Sequence, residues 1–428
     1  MLAEDVQNPP VTDAHHRATF FRQSGWLMIA NIGGGLLMLS VHFLNKFVPG
    51  GEYGHFVALL TVGMLLPTIP LQMILAQQTA KALASHTERE LSGVIRMFLI
   101  MTAVVWLIGS LIVLLMQRTI LEHWQMDNPL GLWITLVIVL ACLWMPIFAG
   151  VLQGQQNFLW LGWTMMATAI GRVSVAAIAV IVLRSGAAGM MVGVLAGFVT
   201  AVVIGAWQSR SLWLARPVPF EWRSLLSQVG PLMLAFLGFQ ILFTADSLFV
   251  QTYFSKIQMD RYGAAGTLCR ALMWLVLPLA TVMFPRMVHS AARLEKSNLI
   301  GLVLLATAIL ATAGAFGISL LGPWVVRIVY GPAYQSVTCP LLPWYASAMI
   351  PLALANVLLN DLLARPASKL GLALCVFCLA LVYLFAVTQF HSHLETVLQT
   401  MGVCSLALLA ICGLFSWRTK AQGLEAVQ

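Results

Sequence analysis

Long apolar runs separated by short polar segments dominate the chain from residue 25 onwards. Each run holds about 20 residues, the length that an α-helix needs to cross the hydrocarbon core of a bilayer. The pattern predicts twelve membrane-spanning helices. Their bounds are 25–47, 54–79, 94–116, 130–150, 158–182, 187–208, 227–253, 262–285, 299–321, 340–362, 368–390 and 397–417.

The composition agrees with an all-α polytopic membrane protein. Of the 428 residues, 60% are hydrophobic and only 9% are charged, and the mean hydropathy is +0.89. Soluble domains carry about 25% charged residues. The net charge of +8 comes from short basic clusters between apolar runs, without a soluble domain to present them. We therefore exclude nucleic acid as a partner.

The cysteines give no sign of redox or metal chemistry. Nearly all seven lie within apolar runs, where they act as small packing residues. Cys375 and Cys378 form a C-x-x-C pair inside LALCVFCLALVYL, which lacks the polar side chains that a zinc or redox site needs. We expect no disulfide framework, no metal site and no cofactor.

The distribution of Lys and Arg predicts the orientation. If the amino terminus is cytoplasmic, fifteen of these residues fall on cytoplasmic segments and six on the opposite side. Because short cytoplasmic segments are enriched in Lys and Arg, we expect residues 1–24 and 418–428 to be cytoplasmic tails.

The two halves of the chain resemble each other. GWLMIANIGGGLLML, from Gly25, matches GPLMLAFLGFQILF, from Gly230, at an offset of 205 residues. The Tyr53-Gly54 pair recurs as Tyr262-Gly263 at an offset of 209. Several matches at nearly one spacing indicate an internal repeat.

This repeat predicts two six-helix bundles. The N-terminal bundle would comprise residues 25–208 and the C-terminal bundle residues 227–417, joined by a cytoplasmic linker at 209–226. Because six is an even number, both bundles would have the same orientation in the membrane. Such an arrangement occurs in transporters, with the substrate site between the bundles.

Three charged residues inside predicted spans are the candidates for substrate binding: Asp246, Arg270 and Arg172. An isolated charge in a bilayer costs about 3 kcal/mol or more. Asp246 and Arg270 lie at similar depth on neighbouring spans, so a direct ion pair between them is geometrically reasonable. The pair either only locks the two spans together, or lines the cavity and offers Arg270 to a substrate phosphate.

Arg172 lies near the middle of the fifth span, with no acid within four residues of it. It either lines the cavity or packs between helices. His42 aligns within one residue of Asp246 between the two halves. His42 is either a hydrogen-bonded helix contact or, like Asp246, a candidate for coupling transport to an ion gradient.

Polar residues at the inner ends of the fourth and tenth spans form a further candidate site. They are Gln153, Gln155, Asn360 and Asp361. They either cap these helices at the membrane interface or form an inner gate whose side chains contact sugar hydroxyls.

Several segments share a pattern with one family of transporters. They are FLNKFVPGGEYGHFVALL before and within the second span, GVLQGQQNFLWLGW after the fourth, the stretch from Asp246 through Tyr262-Gly263 and Arg270 to Phe284-Pro285-Arg286, and LGPWVVRIVYGPAY at 321–334. In this order they resemble the polysaccharide transporter family, the O-antigen flippase-like proteins of the multidrug/oligosaccharidyl-lipid/polysaccharide (MOP) exporter superfamily. The resemblance covers roughly residues 25–370.

This resemblance implies a MATE-like fold and a non-enzymatic flippase of a bacterial inner membrane. Its cargo would be a lipid-linked oligosaccharide, on an undecaprenyl pyrophosphate carrier, or a related lipopolysaccharide precursor such as O-antigen. Polysaccharide assembly proteins would be candidate partners. The implied mechanism is alternating access, in which two bundles rock around a cationic cavity.

Two alternatives remain open at this stage. One is an ion-coupled multidrug or metabolite exporter of the same superfamily, although the first span lacks the acid that many drug exporters carry there. The other is a membrane glycosyltransferase or ligase, which generally needs a sizeable extramembrane loop for its catalytic residues. The longest predicted outer loop here has only about a dozen residues, so the sequence favours a transporter.

Overall fold

The computed structural model describes residues 13–126, 128–292, 299–364 and 369–425. Within these ranges the chain is almost wholly helical, and they contain no strand. The α-helices are α1 Asp13–Ser40, α2 Glu52–Met64, α3 Thr68–Ala84, α4 Glu88–Leu115, α5 Gln117–His123, α6 Leu130–Gly154, α7 Phe158–Ala177, α8 Gly186–Gln208, α9 Arg210–Trp213, α10 Trp222–Tyr253, α11 Lys256–Ala292, α12 Leu299–Val329, α13 Gln335–Ala364, α14 Lys369–Gln389 and α15 Leu394–Glu425. A 3-10 helix, Val41–Phe47, continues α1, and a π-helical turn, Ile178–Val182, continues α7.

Ten helical segments in the described ranges are long and apolar enough to cross a membrane. The other two predicted spans, 25–47 and 262–285, lie on α1 with its 3-10 extension and on α11. The chain is therefore a multi-pass α-helical membrane protein, as predicted.

The second predicted span is two helices rather than one. Pro67 has no backbone N–H, so the helix is interrupted between α2 and α3. At this break the carbonyl oxygen of Met64 accepts a hydrogen bond from Nε2 of Gln240, at 2.6 Å. Gln240 belongs to α10, so a side chain of the other bundle satisfies the carbonyl that the break exposes.

Most helix contacts lie within one half of the chain. In the first half, α1 packs on α7, α7 on α8, α8 on α6, and α6 on α3. In the second half, α10 packs on α14, and α13 packs on α11, α12 and α15. The main contacts between the halves join α2 to α10 and α11, and α3 to α10.

We name the two ends of the structure by the chain segments found there. The terminal end is where α1 begins and α15 ends. The distal end is the opposite one, where residues 41–51 join α1 to α2 and residues 254–255 join α10 to α11. The start of α2 meets the start of α11 at the distal end, so the two halves are in contact there.

Candidate functional site

The Glu52-Tyr53-Gly54 triplet opens α2, and each of its residues makes a different tertiary contact. Oε2 of Glu52 accepts a hydrogen bond from the backbone N–H of Ala187, at 2.8 Å, in the first turn of α8. A carboxylate is favourable there because the first N–H groups of a helix lack partners and carry a partial positive charge. Gly186, at φ +55°, admits this approach, since a Cβ at that position would overlap the Glu52 carboxylate. Glu52 thus fixes α2 against α8.

We expect Glu52→Gln to lower the free energy of unfolding by about 1 kcal/mol, because the neutral amide caps α8 more weakly than the carboxylate. Thermal unfolding of the purified protein in detergent measures the effect. Glu122→Gln is the matched control, because Glu122 is an exposed acid on α5 in the same bundle. Equal unfolding temperatures for wild type and Glu52→Gln would contradict the capping role.

Tyr53 is the centre of a buried polar cluster in the N-terminal bundle. Its hydroxyl lies 2.8 Å from Nδ1 of His42 and donates to the hydroxyl of Tyr330, in the other bundle, at 3.1 Å. Arg172 of α7 stands over the ring of Phe56, with its Cζ 5.8 Å from the ring centroid. Arg172 is close enough to His42 and Tyr53 for direct electrostatic interaction. We call His42, Tyr53, Phe56 and Arg172 the N-terminal cluster.

Arg172 is a buried cation without a counter-charge among the residues that the structure describes. It is 4% exposed, and its Nε has no hydrogen-bond partner among the described residues. The described residues form the salt bridge Asp246–Arg270, and none of their carboxylates forms a salt bridge with Arg172. The face of Phe56 attracts the guanidinium, but an aromatic face does not neutralise its charge. This guanidinium therefore retains the capacity to bind an anion.

Arg270 is bound on several sides in the C-terminal bundle. Its Nη2 donates to Oδ1 of Asp246 at 2.7 Å and to Oγ of Ser247 at 2.8 Å. The other carboxylate oxygen, Oδ2, accepts from the hydroxyls of Tyr262 at 2.8 Å and Tyr345 at 2.5 Å. Asp246 is completely buried. The ion pair that the sequence indicated as feasible is formed, and its charges cancel. We call Asp246, Ser247, Tyr262, Arg270 and Tyr345 the C-terminal cluster.

The two clusters are related by the internal repeat. Tyr262 bonds Asp246 in the C-terminal bundle much as Tyr53 bonds His42 in the N-terminal bundle. The alignment of the halves pairs Tyr53 with Tyr262, and His42 with Asp246 to within one residue. Arg172 and Arg270 lie on helices that the repeat does not pair, α7 and α11. Among the described residues the N-terminal cluster holds a histidine where the C-terminal cluster holds an aspartate.

A cavity along α10 does not expose these charged residues. A cavity of about 420 Å³ lies along α10 and is lined mainly by apolar side chains, among them Leu65, Ile241, Phe249 and Leu384. None of Arg172, Asp246 and Arg270 lines it. The roles of the three in substrate binding, and of His42 or Asp246 in ion coupling, stay predictions.

The predicted inner-gate residues lie at the terminal end. Oε1 of Gln153 accepts a hydrogen bond from Nε2 of Gln72 at 2.9 Å, within the N-terminal bundle. Asn360 donates to the carbonyl of Asn356, on its own helix, at 2.7 Å. Gln155 follows the last turn of α6, and Asp361 is buried on α13. A gate formed by these residues therefore also stays a prediction.

Sequence reasoning missed Asp260, which joins the bundles at the distal end. Its two carboxylate oxygens accept from the backbone N–H groups of Gly51 at 2.7 Å and Gly54 at 2.5 Å. The hydroxyl of Tyr334 bonds both Asp260, at 3.3 Å, and Oδ1 of Asn45, at 3.1 Å. One signal was available in the sequence: Asp260 lies two residues before Tyr262, which begins the second copy of the repeated Tyr-Gly pair.

The chain matches a known protein family. The family described as polysaccharide biosynthesis protein matches residues 20–291. Curated protein sequences gave no significant match.

Solved structures show the same fold. The chain is similar to a MATE-family multidrug resistance transporter of the MOP superfamily in its inward-facing conformation, with a TM-score of 0.69 and 12% identity over 91% of this chain and 95% of that one. The lipid II flippase MurJ, in an inward closed conformation, gives a TM-score of 0.67 and 14% identity over 93% and 87% of the two chains. An outward-facing MATE transporter gives 0.60 and 13% identity over 95% and 97%. These TM-scores establish a common fold, although the sequence identities are low.

Proposed function

The chain belongs to the polysaccharide biosynthesis protein family, and we propose that it moves an anionic lipid-linked oligosaccharide across a bacterial inner membrane. The carrier would be a prenyl pyrophosphate such as undecaprenyl pyrophosphate. The proposed process is alternating access without covalent chemistry, so the protein would be a transporter and not an enzyme. Polysaccharide assembly proteins would supply the cargo and receive it.

The observation that carries this proposal is the buried guanidinium of Arg172 without a counter-charge. A pyrophosphate presents several anionic oxygens, and the planar guanidinium can donate two parallel hydrogen bonds to such a group. Tyr53, in the same cluster, contacts Tyr330 of the other bundle. Arg172 is thus placed beside the surface at which the bundles meet, where alternating access puts the substrate site.

The contacts at the distal end support a state closed on that side. We place the distal end on the outer face of the membrane, because the Lys and Arg distribution puts both termini in the cytoplasm. The greater similarity to the inward-facing than to the outward-facing MATE conformation supports the same assignment. In this scheme the cargo enters from the cytoplasmic side and leaves after the distal contacts break.

The second candidate is an ion-coupled multidrug or metabolite exporter, which the fold of the MATE relatives favours. The charge of the site distinguishes the two candidates. A cationic drug would be repelled by Arg172, whereas a pyrophosphate would be attracted. The fold of transporter relatives and the family assignment leave the glycosyltransferase or ligase as the weakest candidate.

Reconstitution into liposomes tests the proposal. We expect a fluorescent lipid pyrophosphate oligosaccharide, confined at first to one leaflet, to become accessible to a membrane-impermeant quencher on the other side. Protein-free liposomes and liposomes with an unrelated membrane protein are the controls. Transport of a cationic dye, without movement of the lipid-linked sugar, would replace the flippase with the exporter.

A disulfide between the bundles tests alternating access itself. A Cβ at Gly263 would lie 3.2 Å from Cβ of Val57, close to the spacing of about 3.5–4.5 Å in disulfides. We expect the Val57→Cys and Gly263→Cys pair, in a variant with the seven native cysteines replaced, to form a cross-link that stops flipping. Reduction should restore flipping, and Val57→Cys alone should leave it unchanged. Full flipping by the cross-linked protein would contradict separation of the bundles at this point.

A further inference from the structure

The start of α2 lacks a cap from its own sequence. Its N-cap is Gly51, which has no side chain to accept the unpaired N–H groups of the first turn. Asp260, on α11 of the other bundle, accepts from both Gly51 and Gly54. A carboxylate from one bundle therefore caps a helix of the other.

This cap depends on a close approach of the two backbones. A Cβ at Gly54 would lie 2.8 Å from Cγ of Met259 and 3.0 Å from the backbone nitrogen of Asp260. Glycine at position 54 thus lets the first turn of α2 lie directly against α11. The repeat does not provide a second, symmetric cap. The position equivalent to Asp260 in the first half is Gly51, which has no side chain that could cap α11 in return.

Other hydrogen bonds between the bundles lie at the same end. Tyr334 links Asp260 to Asn45, and the backbone oxygen of Trp124 accepts from Nε2 of Gln251 at 2.9 Å. The indole N–H of Trp124 donates to Thr252 at 3.2 Å. The contacts of Trp124 involve neutral groups, whereas those of Asp260 are assisted by its charge and by the dipole of α2. Asp260 is 3% exposed, so water does not compete for its oxygens in this state.

We infer that Asp260 is a latch that holds the two bundles together at the distal end, and that releasing its bonds to α2 opens the transport pathway on that side. The closed state gives Asp260 two amide donors and one hydroxyl. In the open state water would solvate both the carboxylate and the first turn of α2. The latch thus couples a local hydrogen-bond exchange to the separation of the bundles.

Three neighbouring charges belong to the same region. Glu52 is used by α8, as described above. Arg261 donates to the carbonyl oxygen of Ala333 and lies over the ring of Tyr334, with its Cζ 4.8 Å from the ring centroid. The Cβ of Lys256 lies against Gly51. Substitutions that test the latch should leave these residues unchanged.

Distances between the bundles test the latch directly. Spin labels at Arg118→Cys on α5 and Ser392→Cys before α15 are on exposed sites of different bundles at the distal end. The seven native cysteines are replaced, and pulsed EPR is recorded in lipid nanodiscs. We expect Asp260→Asn to raise the ratio of long to short distances about tenfold, equal to about 1.4 kcal/mol. An amide has only one acceptor oxygen and turns an N–H donor towards the second N–H of α2.

Gly54→Ala provides an independent variant, because it keeps every donor and acceptor and acts only by crowding α11. We expect it to shift the distances in the same direction. Gly50→Ala is its matched control, since a Cβ there would contact nothing within 4 Å. Glu395→Gln, an exposed acid at the distal end, is the control for Asp260→Asn.

Unchanged distances in folded Asp260→Asn and Gly54→Ala would overturn the latch. Should Asp260→Asn fail to fold, Gly54→Ala alone decides, and a wild-type distance distribution from it overturns the latch equally. The inference rests on the proposed function only for the direction of transport, because the measurement uses no substrate. A failure to flip lipid-linked sugar would refute the proposed cargo and leave the latch standing.

Discussion

Replacement of Arg172 by glutamine is expected to abolish flipping of the lipid-linked oligosaccharide while leaving the protein folded. Removing one partner of a buried, hydrogen-bonded charge pair costs about 2–5 kcal/mol of binding, so flipping should fall at least about 30-fold. Stability should stay the same or rise, because the change removes a buried cation that no carboxylate compensates. Loss of function without loss of stability is the signature that separates a substrate-binding arginine from one that packs between helices.

The flipping assay and thermal unfolding of the same preparations measure the two effects. Arg172→Lys keeps the charge but loses the planar fork, so we expect it to recover only part of the activity. Arg118→Gln is the matched control, because it removes an exposed arginine from the same bundle. Flipping at the wild-type rate by Arg172→Gln would rule out a role of Arg172 in binding the cargo. Unfolding of this variant would instead assign Arg172 to packing.

Breaking the Asp246–Arg270 pair is expected to have the opposite signature. Loss of either charge alone should lower the free energy of unfolding by about 3–5 kcal/mol, because the remaining charge is left buried and unpaired. Asp246→Asn and Arg270→Met test the two sides of the pair. Thermal unfolding in detergent and the yield of inserted protein measure the loss. We expect the double variant to recover most of the stability, since neutral groups replace both charges at once.

The double variant also separates the two roles that the sequence left open for Arg270. We expect flipping to return together with stability, because Arg270 already donates to Asp246, Ser247 and the carbonyl of Phe243. A stable double variant that does not flip would instead show that Arg270 contacts the cargo. The charge-reversed pair, Asp246→Arg with Arg270→Asp, adds a third case. It should fold less well than wild type. The hydroxyls of Tyr262 and Tyr345 donate to Asp246 in the native protein, and in this variant they would face a cation that cannot accept a hydrogen bond.

Much of the fold follows from the sequence because membrane-spanning helices are specified locally. A run of about 20 apolar residues must form a helix in a bilayer, where every backbone group has to be satisfied within the segment. The buried position of Arg172, Asp246 and Arg270 follows from their place inside such runs. The alignment of His42 with Asp246 and of Tyr53 with Tyr262 is also visible, in outline, in the repeat of the two halves. The family motifs can be recognised in the same way.

The contacts between helices could not be predicted from the sequence. Tyr345 reaches Asp246 from 99 positions away in the sequence, and Asp260 reaches Gly51 across 209. The break at Pro67 could be anticipated, but not that Gln240 would satisfy the carbonyl oxygen of Met64. Lipid tails are as apolar as leucine, so hydrophobic patterning does not reveal which face of a helix meets a neighbour.

The sequence by itself therefore determined the helices, the repeat, the family and the presence of buried charge. Only the tertiary structure decided which charge is neutralised. It paired Arg270 of α11 with Asp246 of α10, and it packed Arg172 of α7 near His42 and Phe56. It also brought Asp260 to the uncapped start of α2. Both outcomes depend on hydrogen-bond geometry between distant segments, which acts over a few ångströms and leaves no periodic trace along the chain.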